Sequence, residues 1–205
     1  MEKIKLGPDS KSRCRWCMAA PEFLHYHDSE WGFPVSDDYR LFEKLSLEGF
    51  QSGLSWRTIL NKSDNFRIAF DNFNFKKIAN FTEHDVIRLL QNEGIIRHRG
   101  KIEAVINNAR LAQNLVEQEG SLAAFIWRYE PNFIHLVEPQ TISSSPESVA
   151  LSKDLKKRGW KYVGPTTVFA FMQAMGLIND HAEGCFVRVK VERERKLFKR
   201  PGIKF

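Results

Sequence analysis

The chain has 205 residues, 42% apolar and 27% charged, with 16 Phe and 5 Trp. That is enough apolar mass for a buried core, which excludes a disordered chain, and no apolar run approaches the roughly 18 residues of a membrane span. The formal charge is +6, but residues 186–205 hold eight Lys or Arg against two Glu, so the whole excess lies in the tail and the body is balanced. The tail reads as a solvated, partly disordered basic extension rather than a nucleic-acid footprint of the whole protein. The N-terminal MEKIKLGPDSKSR lacks the apolar stretch of a secretory signal, so the expected compartment is the cytoplasm. Three cysteines, Cys14, Cys17 and Cys185, are too few for a disulfide scaffold and their odd number fits reduced thiols.

In chain order, Ser36 or Asp37 can cap a helix running to about Gly49, with Leu41, Phe42, Leu45 and Leu47 as its apolar positions; Ser55 caps a second, and Ser63 or Asp64 a third. Thr82 with Asp85 three residues on opens a further helix that Gly94 stops. The longest pattern starts near His98 and recurs at Ile102, Val105, Ile106, Ala109, Ala112, Leu115 and Val116 until Gly120. Another segment spans about 121–129 and ends before Pro131. Ser145, Pro146 and Glu147 set the cap and first turn of a helix to Arg158, closed by Gly159; Gly164-Pro165-Thr166 starts one that stops at Gly176. Strand signals are confined to YVG at 162–164 and VRVKV at 187–191, the latter equally readable as an ordered tail. The chain reads as all-α.

Three constellations carry chemistry. The helix–turn–helix at about 146–176, with Lys161, Gly164 and Thr166 at its bend, can offer a helix N-terminus and backbone N–H groups to a phosphate, or be a plain αα-corner. His181 and Cys185 in HAEGC share one face of a helical turn, and Cys14 and His27 lie near the other end of the chain. Two Cys and two His suit tetrahedral zinc with no open position, hence a structural ion, provided that the two pairs meet; Cys14-x2-Cys17 competes for the fourth place. Glu48 sits on an otherwise apolar helix end, with Trp16, Phe23, Tyr26, Trp31 and Trp56 nearby in sequence. A carboxylate among aromatics suits a planar cation; a helix cap or an ion pair with Arg57 or Arg67 is the plainer alternative.

The segments RCRW, YHDSEWG, LFEKLSLEGFQSGLSW, IIRHRGKIEAVINNAR, LKKRGWKYVGPTT and FMQAMGLINDHAEGC resemble, in order and nearly without gaps, the constitutive type I bacterial 3-methyladenine DNA glycosylases. The resemblance implies a helix-hairpin-helix glycosylase fold over residues 14–186, flanked by an N-terminal extension (1–13) and the basic tail (187–205). It implies one structural zinc on Cys14, His27, His181 and Cys185 that joins the two ends of the domain. Glu48 becomes the base-recognising catalytic residue, Trp56 the stacking surface, and Trp16, Phe23, Tyr26 and Trp31 the pocket, with Phe23 standing where a relative has tyrosine. Lys161, Gly164 and Thr166 become DNA contacts. The implied reaction is hydrolysis of the N-glycosidic bond of flipped-out 3-methyladenine in alkylated duplex DNA by a soluble, monomeric, monofunctional enzyme that leaves an abasic site and free base. A zinc-stabilised damage sensor without catalysis and a hydrolytic zinc enzyme are the competing classes. Asp180, in NDHAEG, is expected to cap the metal-bearing turn.

Overall fold

The computed structural model describes residues 3–132 and 138–202; the outermost residues of the expected extension and tail lie outside them. Eleven α-helices dominate the described residues, and the one sheet is a two-stranded antiparallel hairpin of β1 (Ile4–Leu6) and β2 (Ser12–Cys14). Most of the extension expected as a separate segment is therefore this hairpin, and its last residue is Cys14. A 3-10 turn, Arg15–Ala19, leads into α1 (Glu22–Ser29).

The central element is α2 (Asp38–Gln51). Asp37 caps it by accepting from the Arg40 N–H at 2.8 Å. Every residue from Leu41 to Phe50 is buried, including the polar Glu43, Lys44, Ser46 and Glu48. Such all-round burial marks a helix inside the domain rather than on its surface. Around it run α3 (Trp56–Leu60), α4 (Ser63–Ala69), α5 (Phe75–Ile78), α6 (Glu83–Gln91), α7 (Arg99–Glu119), α8 (Leu122–Trp127), α9 (Pro146–Lys157), α10 (Pro165–Ala174) and α11 (Phe186–Leu197). α2 packs on α7, α8 and α10, and α9 packs on α10. Phe66, Phe70 and Phe73 stack beside Phe50, and Leu41 and Phe42 fill the interior.

Local caps explain most boundaries. Ser55, Ser121 and Ser145 accept from backbone N–H groups three residues on, Thr82 and Asp85 make a reciprocal box, and the His98 Nδ1 accepts from the Lys101 N–H. The expected strand at 162–164 is not formed. Asn108 of α7 instead grips the turn through both backbone groups of Lys161, each at 2.9 Å, and the Ser152 hydroxyl donates to the Val163 carbonyl. Side chains thus hold the start and the middle of this stretch in a turn, where a strand would need the Val163 carbonyl for a ladder.

The tail also departs from expectation. Residues 187–191 are helical, and α11 buries Val187, Val191 and Arg195 at spacing four. The Arg195 guanidinium is held by the Gly176 carbonyl and, at 3.0 Å, by Glu130; Arg200 reaches the same carboxylate at 2.8 Å. Phe198 packs on Trp127 with ring centroids 4.5 Å apart. Two of the basic groups assigned to solvent are thus neutralised within the fold, and the helix forms because its buried stripe includes the long apolar stem of an arginine.

Candidate base pocket and metal cluster

Cys14, His27, His181 and Cys185 converge, all buried, with one donor atom from each within 4.8 Å of the others. The two histidine nitrogens face each other at 3.2 Å, and the sulfur-to-nitrogen edges are 3.5, 3.6 and 3.7 Å. A tetrahedral ion with bonds of about 2.0–2.1 Å to nitrogen and about 2.3 Å to sulfur requires edges of about 3.3 Å and about 3.6 Å. The four side chains therefore have the spacing of a coordination shell and could hold a metal ion.

Their surroundings fix the protonation that coordination needs. The His181 Nε2 lies 3.0 Å from the Trp31 carbonyl and the His27 Nδ1 lies 2.7 Å from Asp28, so each ring donates on its far side. Asp28 is in turn gripped by Arg13 at 2.8–3.1 Å. Both rings thus turn a lone pair inward, an arrangement that a cation between them reconciles. Cys14 accepts N–H bonds from Ala182 and Gln140 at 3.3 and 3.2 Å, while its contact with Cys185 pushes one thiol up and draws the other down. Cys17 is not among the four: its thiol donates to the Cys14 carbonyl at 3.1 Å and interacts with the His27 ring from outside the set, and the three cysteines are free. Gly32 at φ +87° lets the chain pass close to His181, where an added Cβ would come within 3.1 Å of the ring.

An aromatic wall joins this cluster to a cavity. Trp16 contacts His27, Trp31, Phe23 and Tyr26, with centroids 5.4, 5.1, 5.8 and 6.4 Å away, and Tyr26 leans on Trp56 at 5.3 Å. Trp31 also lies against His181 at 4.7 Å. The five expected pocket aromatics are therefore one connected group. The adjoining cavity, about 310 Å³, is lined by Tyr26, Trp56, Lys44, Glu30 and Glu43 among others. That size admits a purine. Trp56 Nε1 is buried with no hydrogen-bond partner among the described residues.

Glu48 is 6% exposed, and neither alternative partner is used: Arg57 pairs with Glu22, and Arg67 with Glu43 and Asp64. Its carboxylate instead lies 3.1 Å from the ammonium of Lys44, one helical turn earlier. The next residue, Gly49, faces Tyr162 of the α9–α10 turn, 3.3 Å from where a Cβ would stand. Close approach here seats the hairpin against the helix end that carries Glu48. Lys161 and Thr166 are exposed on that hairpin, and Gly164 precedes Pro165, so the first free N–H groups of α10 belong to the two threonines. A larger cavity, about 510 Å³, lies elsewhere, beside Phe169 and Asp180. The Asp180 carboxylate accepts from the Gln140 N–H and the Gln173 side chain, at 2.9 and 2.6 Å, so instead of capping the metal-bearing turn as expected it ties that segment to Gln140 and α10.

The sequence matches the methyladenine glycosylase family model over residues 16–188. The chain belongs to this family. It is 46% identical over 177 residues to DNA-3-methyladenine glycosylase 1 of Escherichia coli K12, a match covering 84% of this chain and 95% of that protein. A crystal structure of 3-methyladenine DNA glycosylase I aligns with a TM-score of 0.79 at 49% identity, over 85% of this chain and 98% of the other. A single-residue variant of the same enzyme type, in complex with 3-methyladenine, aligns at 0.80 and 36% identity over 86% and 97% of the two chains.

Within the family frame, sequence reasoning missed the supporting groups: Arg13 and Asp28 behind His27, Gln140 behind Cys14, and Lys44 beside Glu48. Only Lys44 had a readable signal, its i,i+4 spacing to Glu48 on one helix. Asp28 is the immediate neighbour of His27, whereas Arg13 and Gln140 meet their partners through tertiary folding.

Proposed function

We propose that this chain hydrolyses the N-glycosidic bond of 3-methyladenine in alkylated duplex DNA, as a monofunctional glycosylase of the cytoplasm that leaves an abasic site. The observation that carries the reading is the buried Glu48 carboxylate, linked through the Lys44 ammonium to Tyr26 and Trp56, at the foot of the α9–α10 hairpin. Methylation at N3 places a positive charge on the purine, so the base already leaves readily and needs no proton from the protein. Catalysis then consists of selecting the flipped base and holding it while water attacks an oxocarbenium-like sugar.

In this reading Trp56 stacks on the base, Trp16, Phe23, Tyr26 and Trp31 shape the pocket, and Glu48 accepts hydrogen bonds from the purine edge while favouring its cationic form. Phe23 contributes shape but no hydroxyl. Lys161, Gly164 and Thr166 present a side chain, a close backbone and a helix N-terminus to phosphates, which positions DNA without reading its sequence. Cys14, His27, His181 and Cys185 hold one zinc; four side chains complete the shell, so the ion supplies attachment between the chain's two ends and no chemistry to the base. No helix among the described residues is long and apolar enough to cross a membrane.

Incubating the protein with methylated duplex DNA and separating the released bases by chromatography tests the proposal. Free 3-methyladenine and alkali-labile abasic sites are expected. DNA binding without base release would convict the catalytic reading and leave a damage sensor.

A further inference from the structure

Helix α2 sets Lys44 and Glu48 one turn apart, both buried, with their charged ends 3.1 Å apart. The same ammonium donates to the Tyr26 phenol oxygen at 2.6 Å and lies 3.5 Å from the Trp56 ring centroid. These three contacts, a carboxylate, a phenol and an aromatic face, are those that the proposed function assigns to the cationic base. Lys44 lines the 310 Å³ cavity, whereas Glu48 is not among the lining residues. Burial pulls the Lys44 ammonium below its ordinary value and Arg40 adds to this, while Glu48 and Glu30 oppose it.

We propose that Lys44 is an internal competitor of the base: its ammonium fills the cation position of the empty pocket, and a base reaches Glu48 only by replacing it. This rests on the proposed function and deepens it. A purine that carries a fixed positive charge swaps one cation for another and leaves Glu48 compensated. A neutral purine that displaces the ammonium strands a buried carboxylate without a counter-charge, which is among the more costly changes a protein interior can undergo. The displaced side chain has a destination, because Glu30 lines the same cavity, paired with Arg40 at 3.3 Å. Lys44 thereby raises the threshold of entry for every base, and a cationic base, which compensates Glu48, is the kind that meets it.

The test compares two probes of nearly equal size on the full chain: the 3,9-dimethyladenine cation, whose charge does not depend on pH, and neutral 9-methyladenine. Wild type is expected to prefer the cation by about a hundredfold or more. Lys44→Met should bind the cation about tenfold or more tightly than wild type, because no ammonium has to be displaced, and should leave the ratio near its wild-type value, because the ammonium is displaced in both complexes. Lys44→Gln, which keeps a donor for Tyr26 and Glu48 without the charge, should shift cation binding in the same direction and serves if the Met variant folds poorly. Cation binding that is unchanged or weakened in a folded variant overturns the inference. Base release from methylated DNA by wild type is measured alongside: no release defeats the enzymatic reading, whereas release with an unaltered cation affinity defeats only the role of Lys44.

Discussion

Two buried polar centres share the Trp16–Trp31 wall, and they solve the same electrostatic problem in opposite ways. The cluster of Cys14, His27, His181 and Cys185 gathers electron-pair donors that could take their positive charge from an ion. The Glu48 pocket gathers acceptors and an aromatic face and supplies its positive charge from the chain, through Lys44. An ion held by four ligands stays put and contributes stability. An ammonium on a flexible stem can be exchanged, and a pocket that must admit a ligand needs that property.

The strongest way to break the comparison is to remove a metal ligand. Cys185→Ser or His27→Ala should lose the metal and more than about 3 kcal/mol of stability, because binding energy at such a site is folding energy. Metal analysis and denaturant unfolding on the same samples check this, and wild type purified without metal would refute the cluster's role. Cys17→Ser is the matched control: its thiol is not one of the four converging donors, so metal content should be unchanged.

Exchange at the second centre predicts coupling. Glu48→Gln should weaken free 3-methyladenine binding about tenfold or more, since a hydrogen bond to a charged group is lost. The Lys44→Met/Glu48→Gln double variant should be more stable than the two single losses imply, by about 1–3 kcal/mol in a double-mutant cycle. Additive losses would mean that the two charges do not interact.

Lys44 also sharpens the comparison through pH. Its value in the folded state lies below the ordinary 10.5, so between the two the unfolded chain binds more protons and stability rises with pH. The contribution is complete above the unfolded value and lost as pH falls through the folded one. Lys44→Met should flatten that rise in alkaline unfolding curves; an identical slope would place the ammonium in solvent.

Helix α11 divides into a buried side and an exposed one, with effects of different size. Truncation after residue 189 removes Val191, Arg195 and Phe198 and should cost about 2–4 kcal/mol, whereas replacing the exposed Arg193 and Lys196 by alanine should change stability by less than about 0.5 kcal/mol. If either meets a phosphate, the logarithmic salt dependence of DNA binding becomes shallower by about one for each such charge removed.

Which features can be read from the sequence follows from the range of the interactions behind them. Asp37, Ser55, Thr82 with Asp85, Ser121 and Ser145 act within three residues, so these helix starts are legible. The start at Ser63 falls where expected although its cap position is Lys62, which makes no side-chain cap. The convergence of Cys14 and His27 with His181 and Cys185 is reached only through resemblance, since nothing in the spacing says that the two pairs meet. The 187–191 segment misleads because its alternation is a period of two across five residues, while the helical period runs through Val187, Val191 and Arg195, and an arginine is seldom read as a core position. Lys44 escapes notice for the same reason, a charged residue on a helix being taken for solvent-facing.

The contacts between His27 and His181 span 154 residues of sequence. During synthesis Trp16, Tyr26 and Trp31 leave the ribosome long before the residues that pin them in place, and Trp31 lacks the imidazole that its carbonyl holds until His181 has emerged. A nascent or truncated chain therefore has the stacking residues of the pocket without the frame that orients them. The arrival of residues 181–185, just ahead of α11, is what ties down the opening segment.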